Sequence, residues 1–354
     1  MEDIRTGLSY GDALLVPQRS PVDSRSDVDL STNLTPNIEL ETPLLSAPMD
    51  TVTGPAAAIA ISRAGGFGTL HRFMTVDEQV DAVEDVVAAG ERCGAAVGIA
   101  EDTVARAEAV LDAGASVVMV DVAHGHLERT LDAVADLRET FPDAEIVAGN
   151  VATKDGVRDL AAAGADCVKV GIGPGSHCTT RRVAGAGVPQ LTAVDDCADA
   201  AAEVGVTTIA DGGIRTSGDA VKALLAGADT VMMGSLFAGT EEAPSEVVEI
   251  EGKRYKRSRG MATTAANENR SDKDTESAAP DADEGVEGLT EYKGPLEDVA
   301  GEFAAGIRSG LSYVGGHTLD AARERAEFIQ VAPSAQEREG AHGDHDWETV
   351  SVDD

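Results

Sequence analysis

The stretch GIGPGSHCTTRR, residues 171–182, sets a thiol after a glycine-rich run and follows it with two hydroxyls and two guanidinium groups. A thiolate is a strong nucleophile, and Arg181 and Arg182, if close in space, would favour it over the thiol. Gly171, Gly173 and Gly175 let backbone groups turn toward a ligand or ion. Cys178 in that setting could attack an electrophilic carbon and hold a substrate covalently. A structural cysteine in a tight turn is the other reading that the spacing leaves open. Two more loops have the composition of phosphate cradles: DGGIRTSGD (211–219), which opens a helix, and GSLFAGT (234–240). Glycine and serine amides approach phosphate without steric cost, although ordinary strand-to-helix turns use the same residues.

These loops need a frame. Short apolar, largely β-branched runs recur at 43–49, 66–71, 94–100, 116–122, 145–151, 167–172, 207–213 and 230–236. They are continuous rather than alternating, as in parallel strands covered on both faces. Between them lie helical stretches rich in Ala, Leu, Glu and Arg, such as 103–115, 126–141, 153–165 and 217–228, several ending at glycine. Eight such repeats predict a (β/α)8 TIM barrel, with an open doubly wound sheet as the runner-up. The loops singled out above then fall at the carboxyl ends of strands six, seven and eight, where such barrels carry reactive groups. Residues 1–334 are read as one barrel domain. Residues 262–284 lack apolar periodicity and read as a mobile acidic flap, and 335–354 read as an acidic polar tail. The stretch EYKGPLEDVAGEFAAGIRSGLSYVGG is expected to return to the barrel as a helix.

The 354 residues include 63 acidic against 28 basic side chains, a formal charge of −35. That field repels nucleic-acid backbones and anionic membranes, so neither is expected as a partner. It fits a halophilic protein of a high-salt cytoplasm, with an acidic interaction surface as the alternative. Cys93, Cys167, Cys178 and Cys197 form no CxxC pair, so neither a zinc site nor a disulfide framework is suggested. MEDIRTGLSY shows no basic-then-apolar signal and no 18-residue apolar run exists, which leads to a cytoplasmic expectation. His124 and His126 are read as loop positioning rather than as metal ligands, Met232 and Met233 as barrel core, and His342 and His345 as solvated.

GIGPGSHCTTR, IADGGIRTSGD, GSLFAGTEEAPSE, SAPMDTVT and YKGPLEDV closely resemble the IMP dehydrogenase/GMP reductase family, over nearly the whole core. The resemblance implies a (β/α)8 barrel, usually tetrameric, performing redox chemistry at C2 of a purine nucleoside monophosphate (GMP or IMP) through a covalent thioimidate. By that resemblance Cys178 is the nucleophile, Thr180 works beside it, and Glu284 is the flap-end acid paired with the threonine. Ser176, Asp211, Gly213, Gly234 and Ser235 match ribose and phosphate contacts, and Ser46 and Met261 match residues lining the nucleotide. Asp121 matches an aspartate near the ribose of the cofactor, NADPH or NAD. The backbone carbonyls of Gly173, Gly175 and Cys178 match a monovalent-cation site, potassium in character.

The chain departs from both branches of the family. It has no room for the regulatory CBS pair that dehydrogenases usually carry after the second strand. Where dehydrogenases use an Arg-Tyr pair to activate water, this chain has Arg270 followed by Ser271. Ser258 stands where a phosphate-binding tyrosine is usual, and Asp281 where a reductase arginine is. GMP reductase is read ahead of an IMP dehydrogenase without the regulatory module. A non-catalytic nucleotide-binding paralogue is the third and remotest reading.

Overall fold

The computed structural model describes residues 4–100, 102–268, 270–271 and 284–335. Most of the expected flap, with Asp281, and the tail from 336, with His342 and His345, lie outside the described residues.

Buried β-branched runs become eight parallel strands: β1 Leu44–Ser46, β2 Phe67–Leu70, β3 Cys93–Val97, β4 Val117–Asp121, β5 Ile146–Val151, β6 Cys167–Val170, β7 Thr207–Asp211 and β8 Thr230–Met233. They close into a barrel, with β8 pairing back onto β1. Closure leaves the barrel sheet without an edge strand. The helices α1 Pro55–Arg63, α2 Val76–Ala88, α3 Thr103–Asp112, α4 Glu128–Thr140, α5 Lys154–Ala163, α6 Gln190–Val204, α7 Ser217–Leu225 and α8 Leu296–Val314 surround it. Local chemistry sets their ends. The Thr153 hydroxyl accepts from the Gly156 amide to start α5, and Gly164 at φ 114° stops it, a conformation in which a Cβ is disfavoured. Helix α8, the expected returning stretch, packs between α7 and α1 and completes the ring.

Two cores result. One lies between strands and helices. The other fills the barrel with Leu45, Phe67, Met119, Val147, Cys167 and Met232, and Leu34, Ile38 and Leu40 join it from below. Those last three belong to the hairpin Thr32–Thr35 and Ile38–Leu40, which the sequence reading did not anticipate. The Thr207 hydroxyl, at the start of β7, donates to the Leu34 carbonyl, so the hairpin closes the amino end of the barrel. The open end is therefore the carboxyl end.

A three-stranded antiparallel sheet was also not anticipated. It consists of β9 Val247–Ile250, β10 Lys253–Arg259 and β11 Glu287–Glu291, with Arg259 opposite Glu287. The two longer strands, KRYKRSR and EGLTE, are polar and charged and β9 is only four residues long, so no sustained apolar pattern announces them. They pin both ends of the flap segment. Part of that segment corrects the sequence reading outright: Thr264–Glu268 is a helical turn rather than loop.

Candidate active site

The loop after β6 folds on itself: the Cys178 amide donates to the Gly175 carbonyl at 3.1 Å. It is then stitched to the flap base. Thr179 N–H donates to the Glu284 carbonyl at 2.9 Å, and Val286 N–H donates to the His177 carbonyl at 2.9 Å. These backbone bonds fix the Glu284 side chain over Thr180. The Cys178 thiol donates to Thr180 Oγ1 at 3.1 Å, and that hydroxyl donates to Glu284 Oε2 at 2.7 Å. A thiol, a hydroxyl and a carboxylate thus form one proton path at the open end of the barrel, from residues 104 positions apart at its second link. Cys178 is half-buried, whereas Cys93, Cys167 and Cys197 are buried, and desolvation pushes the thiols of Cys93 and Cys197 up to about 12. The relay cysteine is the one thiol with access to a substrate.

The relay borders a cavity of about 470 Å³. Asp121, Gly173, Gly175, Ser176, Asp211, Gly213, Gly234, Ser235, Met261 and Arg270 all line it with Cys178, Thr180 and Glu284, so the structure brings together nearly every residue the sequence singled out. Ser46 is the exception. It is fully buried at the end of β1 and accepts from the Thr53 hydroxyl at 3.0 Å, while Ala47, Pro48 and Met49 reach the cavity in its place.

One further expectation needs correction. Arg181 and Arg182 do not line the cavity. The Arg181 guanidinium donates to the carbonyls of Ile172 (3.4 Å) and Val188 (2.6 Å), so it braces the loop from behind instead of facing the thiol. In the 211–219 loop, the amides of Arg215 and Thr216 donate to Asp219, both at 3.1 Å, and Thr216 caps α7. Ahead of that capped end, Gly212 and Gly213, both at positive φ, line the cavity.

Beneath the cavity sits a group whose weight the sequence reading did not assign. Lys169 in β6 is 2 % exposed. Its ammonium meets Asp121 Oδ1 at 2.7 Å, Asp211 Oδ2 at 2.7 Å and Asn150 Oδ1 at 2.5 Å. Three protons find three acceptors, which leaves none unsatisfied. Burial works against the charge, but the two carboxylates outweigh it and hold the ammonium above the usual lysine range. Asn150 Nδ2 also donates to Asp211 Oδ2 at 2.9 Å. A lone lysine in the apolar run CVKVGI was the available signal, since a buried charge must be paired.

The remaining residues separate. Arg270 stacks over Phe73, 4.0 Å from the ring centroid. Ser271 Oγ donates to the Glu78 carboxylate and accepts from Thr75 N–H at 3.2 Å, so the hydroxyl is turned to α2. Ser258 is buried and bonded to His177 Nε2 and Thr290 Oγ1, both at 2.8 Å. His126 pairs with Asp159 at 2.8 Å. Among the described residues no three His, Cys, Asp or Glu side chains converge on a metal position, and no helix is long and apolar enough to cross a membrane.

The site thus combines a parallel eight-stranded barrel, a thiol, hydroxyl and carboxylate linked on the loop after strand six, a carboxylate ending strands four and seven, and glycine turns after strands seven and eight. The family model described as IMP dehydrogenase / GMP reductase domain matches residues 7–342. Inosine-5'-monophosphate dehydrogenase of Nitrosopumilus maritimus is 36 % identical over 460 residues, covering 93 % of this chain and 97 % of that protein. The same-named protein of Borreliella burgdorferi is 36 % identical over 393 residues, covering 96 % and 97 %. Both alignments are longer than the 354 residues here, so these relatives carry internal residues that this chain lacks. Among solved structures, a GMP reductase variant of Trypanosoma brucei in complex with guanosine 5'-monophosphate superposes with a TM-score of 0.91 at 31 % identity, covering 97 % of this chain and 99 % of that one. The chain belongs to the IMP dehydrogenase/GMP reductase family, whose members are NAD(P)-dependent oxidoreductases.

Proposed function

We propose that this protein is a GMP reductase, converting GMP and NADPH to IMP, ammonia and NADP. The observation that carries the reading is an asymmetry at the flap base. The Cys178–Thr180–Glu284 relay is assembled, at 3.1 and 2.7 Å. The position after Arg270, where a water-activating phenol would stand, is a serine turned to Glu78. Reductive deamination needs a proton delivered to a leaving amine; it needs no activated water.

In this mechanism the Cys178 sulfur bonds to C2 of GMP, and its proton passes through Thr180 to Glu284. The same path returns the proton to the 2-amino group, the C2–N bond breaks and ammonia leaves, giving a thioimidate. Bound NADPH supplies a hydride equivalent. C2 accepts it, the C2–S bond breaks to release IMP, and a solvent proton restores the thiol. Asp211 is assigned to the nucleotide ribose and Asp121 to the cofactor ribose, because a carboxylate accepts from both hydroxyls of a diol. Ser176, Gly213, Gly234 and Ser235 are assigned to the phosphate, and Met261 to the base.

IMP dehydrogenase is the second reading, favoured by the names of the sequence relatives and by the ability of the same relay to take a proton from water. Purified protein is incubated with GMP plus NADPH and, separately, with IMP plus NAD, in molar potassium chloride because of the carboxylate excess. GMP consumption with ammonia release supports the proposal; XMP formation without GMP consumption overturns it. Nucleotide binding with neither turnover would make the chain a non-catalytic paralogue. A potassium ion at the carbonyls of Gly173, Gly175 and Cys178 belongs to the same proposal. The donor set is hard oxygen, and the Gly175 oxygen, already bonded once, keeps a second lone pair. A homotetramer and a high-salt cytoplasmic setting complete it, on the resemblance and the charge.

A further inference from the structure

Between Ser176 and the relay cysteine stands His177, which the relay does not use. It is half-buried and lines the main cavity. Its ring bridges two environments. Nδ1 lies 3.3 Å from the exposed Ser176 hydroxyl, and Nε2 lies 2.8 Å from the hydroxyl of Ser258. Ser258, in β10, is 2 % exposed, and its Oγ lies 2.8 Å from Thr290 Oγ1 on β11. Strand register makes that contact. Ser258 sits opposite Gly288, so Thr290 is its diagonal neighbour on the same face of the sheet.

Four side chains therefore form one row, Thr290, Ser258, His177 and Ser176, running from the flap-base sheet to the cavity. The row is anchored at its inner end. The His177 carbonyl accepts from Val286 N–H at 2.9 Å, and a Cβ at Gly260 would lie 2.9 Å from that same oxygen, so the chain after β10 closes tightly on the histidine backbone. The two inner contacts are short and the outer one is longer, which makes the Ser176 hydroxyl the member that a ligand can adjust.

We propose that His177 is a positioning residue for the nucleotide phosphate, orienting the Ser176 hydroxyl through the row of hydroxyls behind its ring. This rests on the nucleotide reading of the cavity, in which Ser176 meets the phosphate. A phosphate dianion only accepts hydrogen bonds, so Ser176 donates to it. To keep its contact with the ring the Ser176 oxygen then accepts, which puts the ring proton on Nδ1. Burial disfavours a second ring proton, so Nε2 accepts from the Ser258 hydroxyl, and Ser258 accepts from that of Thr290. Every direction in the row follows from the anion at its outer end. A serine hydroxyl on a glycine-rich loop rotates freely; the row restricts it and polarises it toward the phosphate.

Calorimetric titration with IMP and with inosine tests this without turnover, since IMP is a ligand under either reading of the reaction. His177→Leu is expected to lower the preference for IMP over inosine about tenfold, as for one charge-assisted hydrogen bond, with inosine affinity unmoved. His177→Asn, whose amide nitrogen takes the place of Nδ1, should restore most of the preference, whereas His177→Gln, whose nitrogen takes the place of Nε2, should not. Ser258→Ala, outside the cavity lining, should lower it as well, and adding it to His177→Leu should lower it no further. In the IMP complex of isotope-labelled protein, nitrogen NMR should find the His177 ring proton on Nδ1. Equal weakening of IMP and inosine in His177→Leu, no rescue by His177→Asn, or a proton on Nε2 in the complex overturns the proposal. The two failures are separable. A protein that oxidises IMP and leaves GMP untouched refutes the GMP reductase reading and keeps this one. A native protein that reduces GMP but keeps its preference for IMP over inosine in His177→Leu does the reverse.

Discussion

Replacing Glu284 with Gln removes proton affinity from the relay while keeping its shape. The amide oxygen still accepts from Thr180 Oγ1 in the place of the 2.7 Å bond, and the backbone bonds joining Thr179 and Val286 to their partners involve no side chain. The fold is therefore expected to survive with an unchanged melting temperature. What is lost is a base able to hold the thiol proton between attack and departure of the amine. General acid–base catalysis contributes about 10²–10⁴-fold, or roughly 2.7–5.5 kcal/mol of barrier at about 1.36 kcal/mol per tenfold. Steady-state turnover, followed by cofactor absorbance, should fall by that factor with KM for nucleotide little changed. Thr180→Val breaks the same path at its middle oxygen. Because the groups act as a unit, the double variant should be no slower than the slower single variant. A loss below about tenfold in Glu284→Gln, or single losses that multiply in the double variant, would refute the relay.

Lys169→Met leaves Asp121 and Asp211 facing each other without the ammonium that bridges them at 2.7 Å each. Removing one partner of a buried ion pair costs about 3–5 kcal/mol, and the partial exposure of the carboxylates points to the lower end. A melting temperature lower by roughly 4–5 °C is expected in scanning calorimetry, with KM raised for nucleotide and cofactor together; an unchanged melt contradicts the network. A Cβ at Gly171 would be built into the Asp211 carbonyl oxygen, whereas one at Gly175 would come no closer than 3.7 Å to Cys178 Cβ. Gly171→Ala should therefore lose thermal stability and nucleotide binding, and Gly175→Ala should melt like the native protein. Burial lowers the His177 pKa below its ordinary 6.5. The unfolded chain then binds the proton more readily, so the stability contributed by neutral His177 is complete above about pH 6.5 and is lost as pH falls through the depressed value. His177→Gln should flatten the acid limb of a melting-temperature profile, and an identical limb in both proteins would count against a buried imidazole.

The barrel was legible because its signals are local. Runs such as SVVMVDV and EIVAGNV must be buried on both faces, and each is followed by its own helix, the second capped by Thr153 and Gly164. The cysteine loop was legible too, since glycines, a thiol and a hydroxyl sit within ten residues. The hairpin under the barrel and the sheet β9–β11 were not, because their strands are short or polar and gain their partners only from distant chain. Within the site, the sequence supplied the residue types, and the closed barrel with its zippered flap base decided which of them meet. Glu284 reaches Thr180 across 104 positions through backbone bonds that no composition encodes. Lys169, Asp121 and Asp211 come from three strands whose order around the barrel places three charges at one point. Arg72, Arg106, Arg129 and Arg270 are scattered among carboxylates along the chain, and only the packing of the segments after β2, β3 and β4 against the flap collects them. Propensity and periodicity act over a few residues, whereas the electrostatics of a site depend on distance in space.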